Sequence, residues 1–322
     1  MYDKATIMPI ISAAGGTGKT TIALLLSLFL SNSNYRPILM IDLDPTAGLS
    51  IRLMGDKAYY YYDNNGKTLS KMFTDYKQNK TIDISQYAIQ IKEAKAHFAD
   101  LEVVEDLYDV YLLPPGEDLM DQFTDFSTTG IGIPEALWGL LRNSNIDKFD
   151  SIIVDTAPFF DMRYTLAAVH GSDKSIVVAR PTLTDLFRTK RMINAINSNL
   201  RLYGRNVNYS LLFNVNQSLL VKEAATLIDM RISISSKGGG TAGRAKPDME
   251  LRNALNDLVK SNRSSLNILE SALSYYKDYS DESFPKKKLP GGNSYGAACR
   301  PVQDALRFHG KNIKCPFDVE DD

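Results

Sequence analysis

The 322-residue chain has only two cysteines and three histidines. His97, His170 and His309 stand far apart, so no segment has the Cys/His spacing of a structural metal site. Two cysteines cannot form the framework of a chain this long, and a pairing of Cys299 with Cys315 is the one bond open to them. Long hydrophobic runs are also missing. The longest, Ile22 to Leu30, is broken by Ser27 and falls well short of the roughly 20 residues that span a bilayer. The opening MYDKATIMPI lacks the layout of a secretion signal, which points to a cytoplasmic protein. A formal net charge of -1 leaves no global basic field to attract nucleic acid.

What is present is a normal globular composition, 44% apolar and 23% charged, enough to bury a sizeable core. The charge is unevenly spread. Between Arg231 and Lys314 there are 15 lysines and arginines against 8 acids, whereas the last eight residues carry 4 acids and no base. This asymmetry fits either a solvated face or a surface that meets a polyanion.

Ala5–Ser12 is an apolar run of strand length, followed by a glycine-rich turn. Lys19–Leu30 has no Gly or Pro and predicts a buried helix; Pro37–Asp42 predicts a second strand that ends in an acid. Strand, glycine loop, helix and strand make a βαβ unit, which implies a parallel sheet covered on both faces. Further strands are expected at Val110–Leu113, Ile152–Asp155, Ser175–Ala179 and Tyr209–Phe213, with helices at Ile133–Leu141 and Thr184–Leu200. The fold class is therefore α/β, with a doubly wound, mainly parallel sheet. The segment near 55–109 reads as an insertion: Tyr59–Tyr62 with Asp63–Gly66 as a turn-bearing loop, its tyrosines either an exposed stacking surface or, as favoured, an edge packed on the core, and Ile82–Leu101 as polar and helical. Beyond Met230 the chain loosens at Ile232–Pro247, then Asp248–Tyr276 shows leucines at helical spacing. We expect residues 1–230 to form one α/β domain, and 231–322 a basic, partly helical C-terminal extension packed on it.

The loop Gly15-Gly16-Thr17-Gly18-Lys19-Thr20 carries the chemistry. Glycines let successive N–H groups converge on a phosphate, and the following helix adds its dipole. In such a loop Lys19 reaches the β- and γ-phosphates, the Thr20 hydroxyl holds Mg²⁺ and Thr21 touches the α-phosphate. The strict pattern would need glycine at position 13, where this chain has alanine. Asp155 ends an apolar strand, where a carboxylate can hold magnesium-bound water. Asp42 and Asp44 end another, and open α/β sheets place ligands at the carboxyl ends of strands.

These residues together resemble the deviant Walker A ATPases of the ParA and MinD group, a branch of the P-loop NTPases. Ala14 to Thr21 reads A-G-G-T-G-K-T-T against the group's K-G-G-x-G-K-T-T. Asp42-Leu43-Asp44-Pro45 matches a D-x-D-P motif, with Thr46 where glutamine is common, and Ile152–Pro158 matches a third motif ending D-T-x-P. Asn214 falls where relatives contact adenine. The resemblance, over about residues 5–220, implies ATP and Mg²⁺ as cofactors. It gives catalytic roles to Lys19 and to Asp44, which orients the attacking water, and metal roles to Thr20, Asp42 and Asp155. It implies an ATP-bound homodimer that binds DNA non-specifically, associates with the nucleoid, works with a ParB-like adaptor and serves plasmid or chromosome segregation. The candidate DNA contacts are Arg244, Lys246, Arg252, Lys260, Arg263 and Lys286, Lys287 and Lys288. A MinD-like membrane-associated ATPase and a metabolic ligase or synthetase on the same fold are the alternatives. The acidic ending, Pro316 to Asp322, does not suit a membrane-binding basic helix, so no membrane is expected. One departure concerns rate. Alanine occupies position 14, where the group's signature lysine reaches across the dimer. Either another cation replaces it, or hydrolysis is weak and the protein is a nucleotide-gated binder, or the position has been altered.

Overall fold

The computed structural model describes residues 5–79, 81–98, 101–128, 132–215, 249–262, 264–269, 273–274 and 293–315. The chain divides into two compact units, Met1–Ile11 with Lys19–Ser175, and Ser12–Gly18 with Ile176–Asp322.

The first unit is built on β1 (Thr6–Ile11), β2 (Ile38–Leu43), β3 (Ile89–Phe98), β4 (Leu101–Leu113) and β5 (Ser151–Thr156), in the order β3-β4-β2-β5-β1. All neighbours are parallel except β3 and β4. β2 and β5 are buried along their whole length, as expected of a parallel sheet covered on both sides. Helix α1 (Lys19–Ser31) buries every residue except Thr20 and packs on β1, β2, β4 and β5. Four more helices, α4 (Leu69–Gln78), α5 (Leu119–Thr128), α6 (Ile133–Arg142) and α7 (Met162–Val169), join one apolar cluster with Leu39, Ile41 and Leu43 of β2 and Ile152 and Val154 of β5. Helix α1 contributes nothing to that cluster yet packs on the same strands, so it covers the opposite face. The sheet is doubly wound, as expected. Trp138 of α6 ties two of these helices together by donating its indole N–H to the Ala167 carbonyl at 2.6 Å.

The second unit contains β6 (Lys174–Ala179, its first two residues in the first unit), α8 (Leu183–Leu202), β7 (Asn208–Val215), α9 (Met249–Ser261), β8 (Leu266–Ile268), β9 (Leu273–Ser274) and α10 (Asn293–Phe308). β7 pairs in parallel with β8 and with β9, and α8 lies on α9. A partly buried polar chain joins them. Tyr209 donates its hydroxyl to Asn197 Oδ1 at 2.8 Å, and the Asn197 amide reaches Asn262 Oδ1 at 3.3 Å. Cys315 is buried and disulfide-bonded.

Three local expectations are corrected. The tyrosine run is helical: it lies in α3 (Asp56–Asn64), which follows the short α2 (Gly48–Met54) after Gly55 at φ +80°. Tyr60 and Tyr61 are exposed and Tyr59 and Tyr62 half-buried, so the run packs along one side only. Ile82–Leu101 is mostly not a helix, since Ile89–Phe98 forms β3, antiparallel to β4 at the sheet edge. Its Glu, Lys and Ala content suggested a helix, but the polar residues follow from its edge position. Lastly, the helix expected over Asp248–Tyr276 stops at Ser261. Leu266 and Leu273 enter β8 and β9, because β7 offers them a strand edge.

Candidate nucleotide site

In the second unit the glycine loop is shaped by its own hydrogen bonds. Ser12 Oγ donates to the Ala14 carbonyl at 2.7 Å, and Thr17 Oγ1 donates to the same carbonyl at 3.4 Å. Gly16 and Gly18 take φ values of +67° and +92°. Asn214, the last but one residue of β7, donates its amide N–H to the Thr17 carbonyl at 2.7 Å. A Cβ at Gly18 would lie 2.1 Å from that amide nitrogen, so this position admits glycine alone. Asn214 is 4% exposed, and its buried Oδ1 has no hydrogen-bond partner among the described residues. Since a carbonyl fixes the donor end, the orphan atom is the acceptor.

In the first unit the strand register brings the acids together. The pairing of β2 with β5 sets Asp42 directly opposite Asp155. Asp155 is 1% exposed; its Oδ2 accepts from the Thr20 hydroxyl at 2.7 Å, while its Oδ1 is buried and unpartnered. Burial pushes the Asp155 carboxyl up to about 6, against the pull of the Thr20 bond and the charge of Lys19. Asp42, fully buried, is pushed up to about 7 by burial and then by Asp155. Its oxygens are already engaged: Oδ1 accepts from the Asp44 N–H at 3.1 Å, and Oδ2 from the Ser50 N–H and hydroxyl at 2.9 and 2.8 Å. Asp42 thereby ties the turn after β2 to α2. Asp44 accepts from the N–H and hydroxyl of Thr46 through Oδ1 at 2.9 and 2.7 Å. Its Oδ2 makes no hydrogen bond among the described residues. Lys19 is 7% exposed; burial lowers its pKa, and Asp155 and then Asp44 oppose the loss.

Thr21, in the first turn of α1, accepts a hydrogen bond from the Arg52 guanidinium of α2 at 2.9 Å. Sequence reasoning passed over Ser50 and Arg52, since neither stands in a recognisable motif. Of the residues named as DNA contacts, Arg252 and Lys260 are exposed on α9, whose leucines face inward. Arg244, Lys246, Arg263, Lys286, Lys287 and Lys288 lie outside the described residues. No described helix is long and apolar enough to cross a membrane.

An uncharacterized protein of Methanocaldococcus jannaschii is 26% identical over 196 residues, which cover 59% of this chain and 64% of that protein. The chain spans 64% and 51% of the lengths of the two curated relatives that it matches. Among solved structures, the ATP complex of a Cyanothece McdA variant superposes with a TM-score of 0.62 at 16% identity, covering 95% of this chain and 97% of that one. A plasmid partition protein of Borrelia burgdorferi gives a TM-score of 0.53 at 20% identity, covering 80% and 100%. Residues 5–205 match the family model AAA_31, described as an AAA domain. The chain thus belongs to the AAA_31 family, and its fold is that of the ParA and MinD type of P-loop ATPases.

Proposed function

We propose that this chain is an ATP-dependent dimerising switch of the ParA kind, which binds DNA non-specifically in its ATP state and serves the segregation of a plasmid, chromosome or other cargo. The observation that carries the reading is the Thr20–Asp155 pair, a 2.7 Å hydrogen bond beside a buried carboxylate oxygen that has no partner. An orphan buried charge costs several kcal/mol unless a cation or donor meets it. Mg²⁺ fits this donor set of hydroxyl and carboxylate oxygens, and Thr20 and Asp155 would hold it. Magnesium, when bound, neutralises phosphate charge during transfer. In this reading Lys19 binds the β- and γ-phosphates, and its burial strengthens that attraction. Asp44 offers its open oxygen to orient the attacking water. Asp42 positions Asp44 through the 3.1 Å bond to its N–H. Asn214 holds the loop at Thr17 and presents its free acceptor to a donor such as the adenine amine. ATP bound to the McdA neighbour agrees with ATP as the nucleotide. No cation stands at Ala14, so turnover is slow and the bound state long-lived.

The test is dimerisation and DNA binding in ATP, ADP and no nucleotide, across a salt series. We expect an ATP-dependent dimer whose DNA affinity falls steeply with salt, and ADP as the sole product. DNA binding that ignores both nucleotide and salt refutes the proposal. A modified small molecule formed with ADP would favour a synthetase, and ATP-dependent sedimentation with liposomes a MinD-like switch. Ala14→Lys is expected to raise hydrolysis at least tenfold if the missing charge limits the rate.

A further inference from the structure

Arg52 belongs to none of the motifs that suggest a nucleotide site, yet it touches the helix that starts one. Its guanidinium donates to Thr21 Oγ1 at 2.9 Å, a contact 31 residues apart in sequence. Among the described residues this is its one hydrogen bond, and no carboxylate pairs with it. A guanidinium has five N–H donors, so most of its hydrogen-bonding capacity is unspent. Arg52 lies in the last turn of α2, where the helix dipole favours a cation, and its guanidinium reaches the first turn of α1, which has no acidic residue to pair with it.

The second observation is the state of Thr21. Its side chain is buried, 8% exposed, and its oxygen accepts from a charged donor. A hydroxyl that accepts from a guanidinium must turn its own hydrogen elsewhere, and Thr21 donates to no acceptor among the described residues. Arg52 thereby holds Thr21 as a donor, beside a cation whose own valence is unfilled. Both groups ask for an anion at the same place.

We infer that Arg52 is a phosphate-positioning residue acting in cis: it fixes the Thr21 hydroxyl as a donor to the α-phosphate of a nucleoside di- or triphosphate and adds positive charge there. This rests on the reading of the site as a nucleotide site. It gives the chain a cation within its own subunit where position 14 supplies none.

The test uses the intact chain with magnesium, titrated calorimetrically with ADP and with the two diastereomers of ADPαS, in which sulfur replaces one α-phosphate oxygen. The parent is expected to bind ADP and to distinguish the two isomers. Arg52→Ala is expected to weaken ADP about tenfold or more, the scale of a charge-assisted hydrogen bond, and to erase the discrimination between isomers. Arg52→Lys should recover part of the affinity. Lys19→Ala should weaken ADP and both isomers alike and keep the discrimination, because its target is further along the chain of phosphates. A variant that merely disturbs α1 would weaken ADP and both isomers equally. That result, unchanged affinity in Arg52→Ala, or a parent that binds both isomers equally, overturns the inference while the nucleotide reading stands. A parent that binds no nucleotide refutes the nucleotide reading itself and this inference with it.

Discussion

Replacing Asp155 by asparagine should separate stability from function. The carboxyl is fully buried, its Oδ1 has no partner, and its pKa is raised from 3.8 to about 6. The folded state therefore binds a proton that the unfolded chain releases between those values. For a raised carboxyl, stability is greatest at low pH and falls as pH rises through the folded value. From pH 5, one unit below that value, to pH 8, the loss is about 1.4 kcal/mol, one pKa unit's worth. Asparagine cannot ionise, so Asp155→Asn should lack this slope. It can still accept from Thr20 through its amide oxygen, which preserves the 2.7 Å contact. The raised Asp42 carboxyl keeps a slope of the same sign in the variant, but a smaller one because the Asp155 charge no longer raises it, which adds to the difference between the two proteins. Urea unfolding at pH 5 and pH 8 without nucleotide should show the variant gaining on the parent by about 1.4 kcal/mol between the two conditions. The same variant should lose the stabilisation that magnesium and ATP give the parent, because a neutral amide attracts a divalent cation poorly. Parallel pH dependences in the two proteins would refute the electrostatic argument. A full ATP and magnesium response in Asp155→Asn would refute the assignment of the orphan oxygen.

Three further outcomes follow from other contacts. Gly18→Ala should cost about 2–4 kcal/mol in urea unfolding, because it combines an unfavourable φ with a clash that breaks the buried Asn214 bond to Thr17; a loss under about 0.5 kcal/mol would show that the loop adapts. Trp138→Phe leaves the Ala167 carbonyl without its buried donor and should lower stability by about 1–3 kcal/mol, readable as a shifted urea midpoint at constant slope. Affinity for magnesium nucleotide should fall about tenfold per unit below pH 6, since the cation competes with a proton at Asp155; an affinity flat from pH 7.5 to 5 would contradict this.

The parallel core was legible because its signals are local. A strand buried on both faces must be apolar throughout, and β2 and β5 are such runs. The glycine loop was legible for a similar reason, since positive φ and close approach leave glycine few substitutes. Within 55–109, two segments were misread where tertiary context outweighed composition, whereas the strand expected at Val110–Leu113 is the end of β4. The polar composition of β3 suits a helix, yet the segment lies at the sheet edge with one partner strand, where Gln90, Lys92 and Glu93 are exposed. The tyrosines of α3 were expected to make a packed edge, yet Tyr60 and Tyr61 are 70% and 62% exposed and only Tyr59 and Tyr62 are half-buried.

The sequence by itself determined the residue types of the site: a lysine and two threonines after the glycines, three acids at strand ends, and no lysine at 14. It also determined the βαβ order, because periodicity and punctuation are written within a dozen residues. Tertiary structure decided how the acids differ. The register of β2 on β5 sets Asp42 opposite Asp155, and Ser50, from the next helix, takes up Asp42 while Asp155 keeps an open oxygen. It also decided that Arg52 meets Thr21. Both outcomes depend on pairings between distant segments, and linear spacing carries no record of which segments meet.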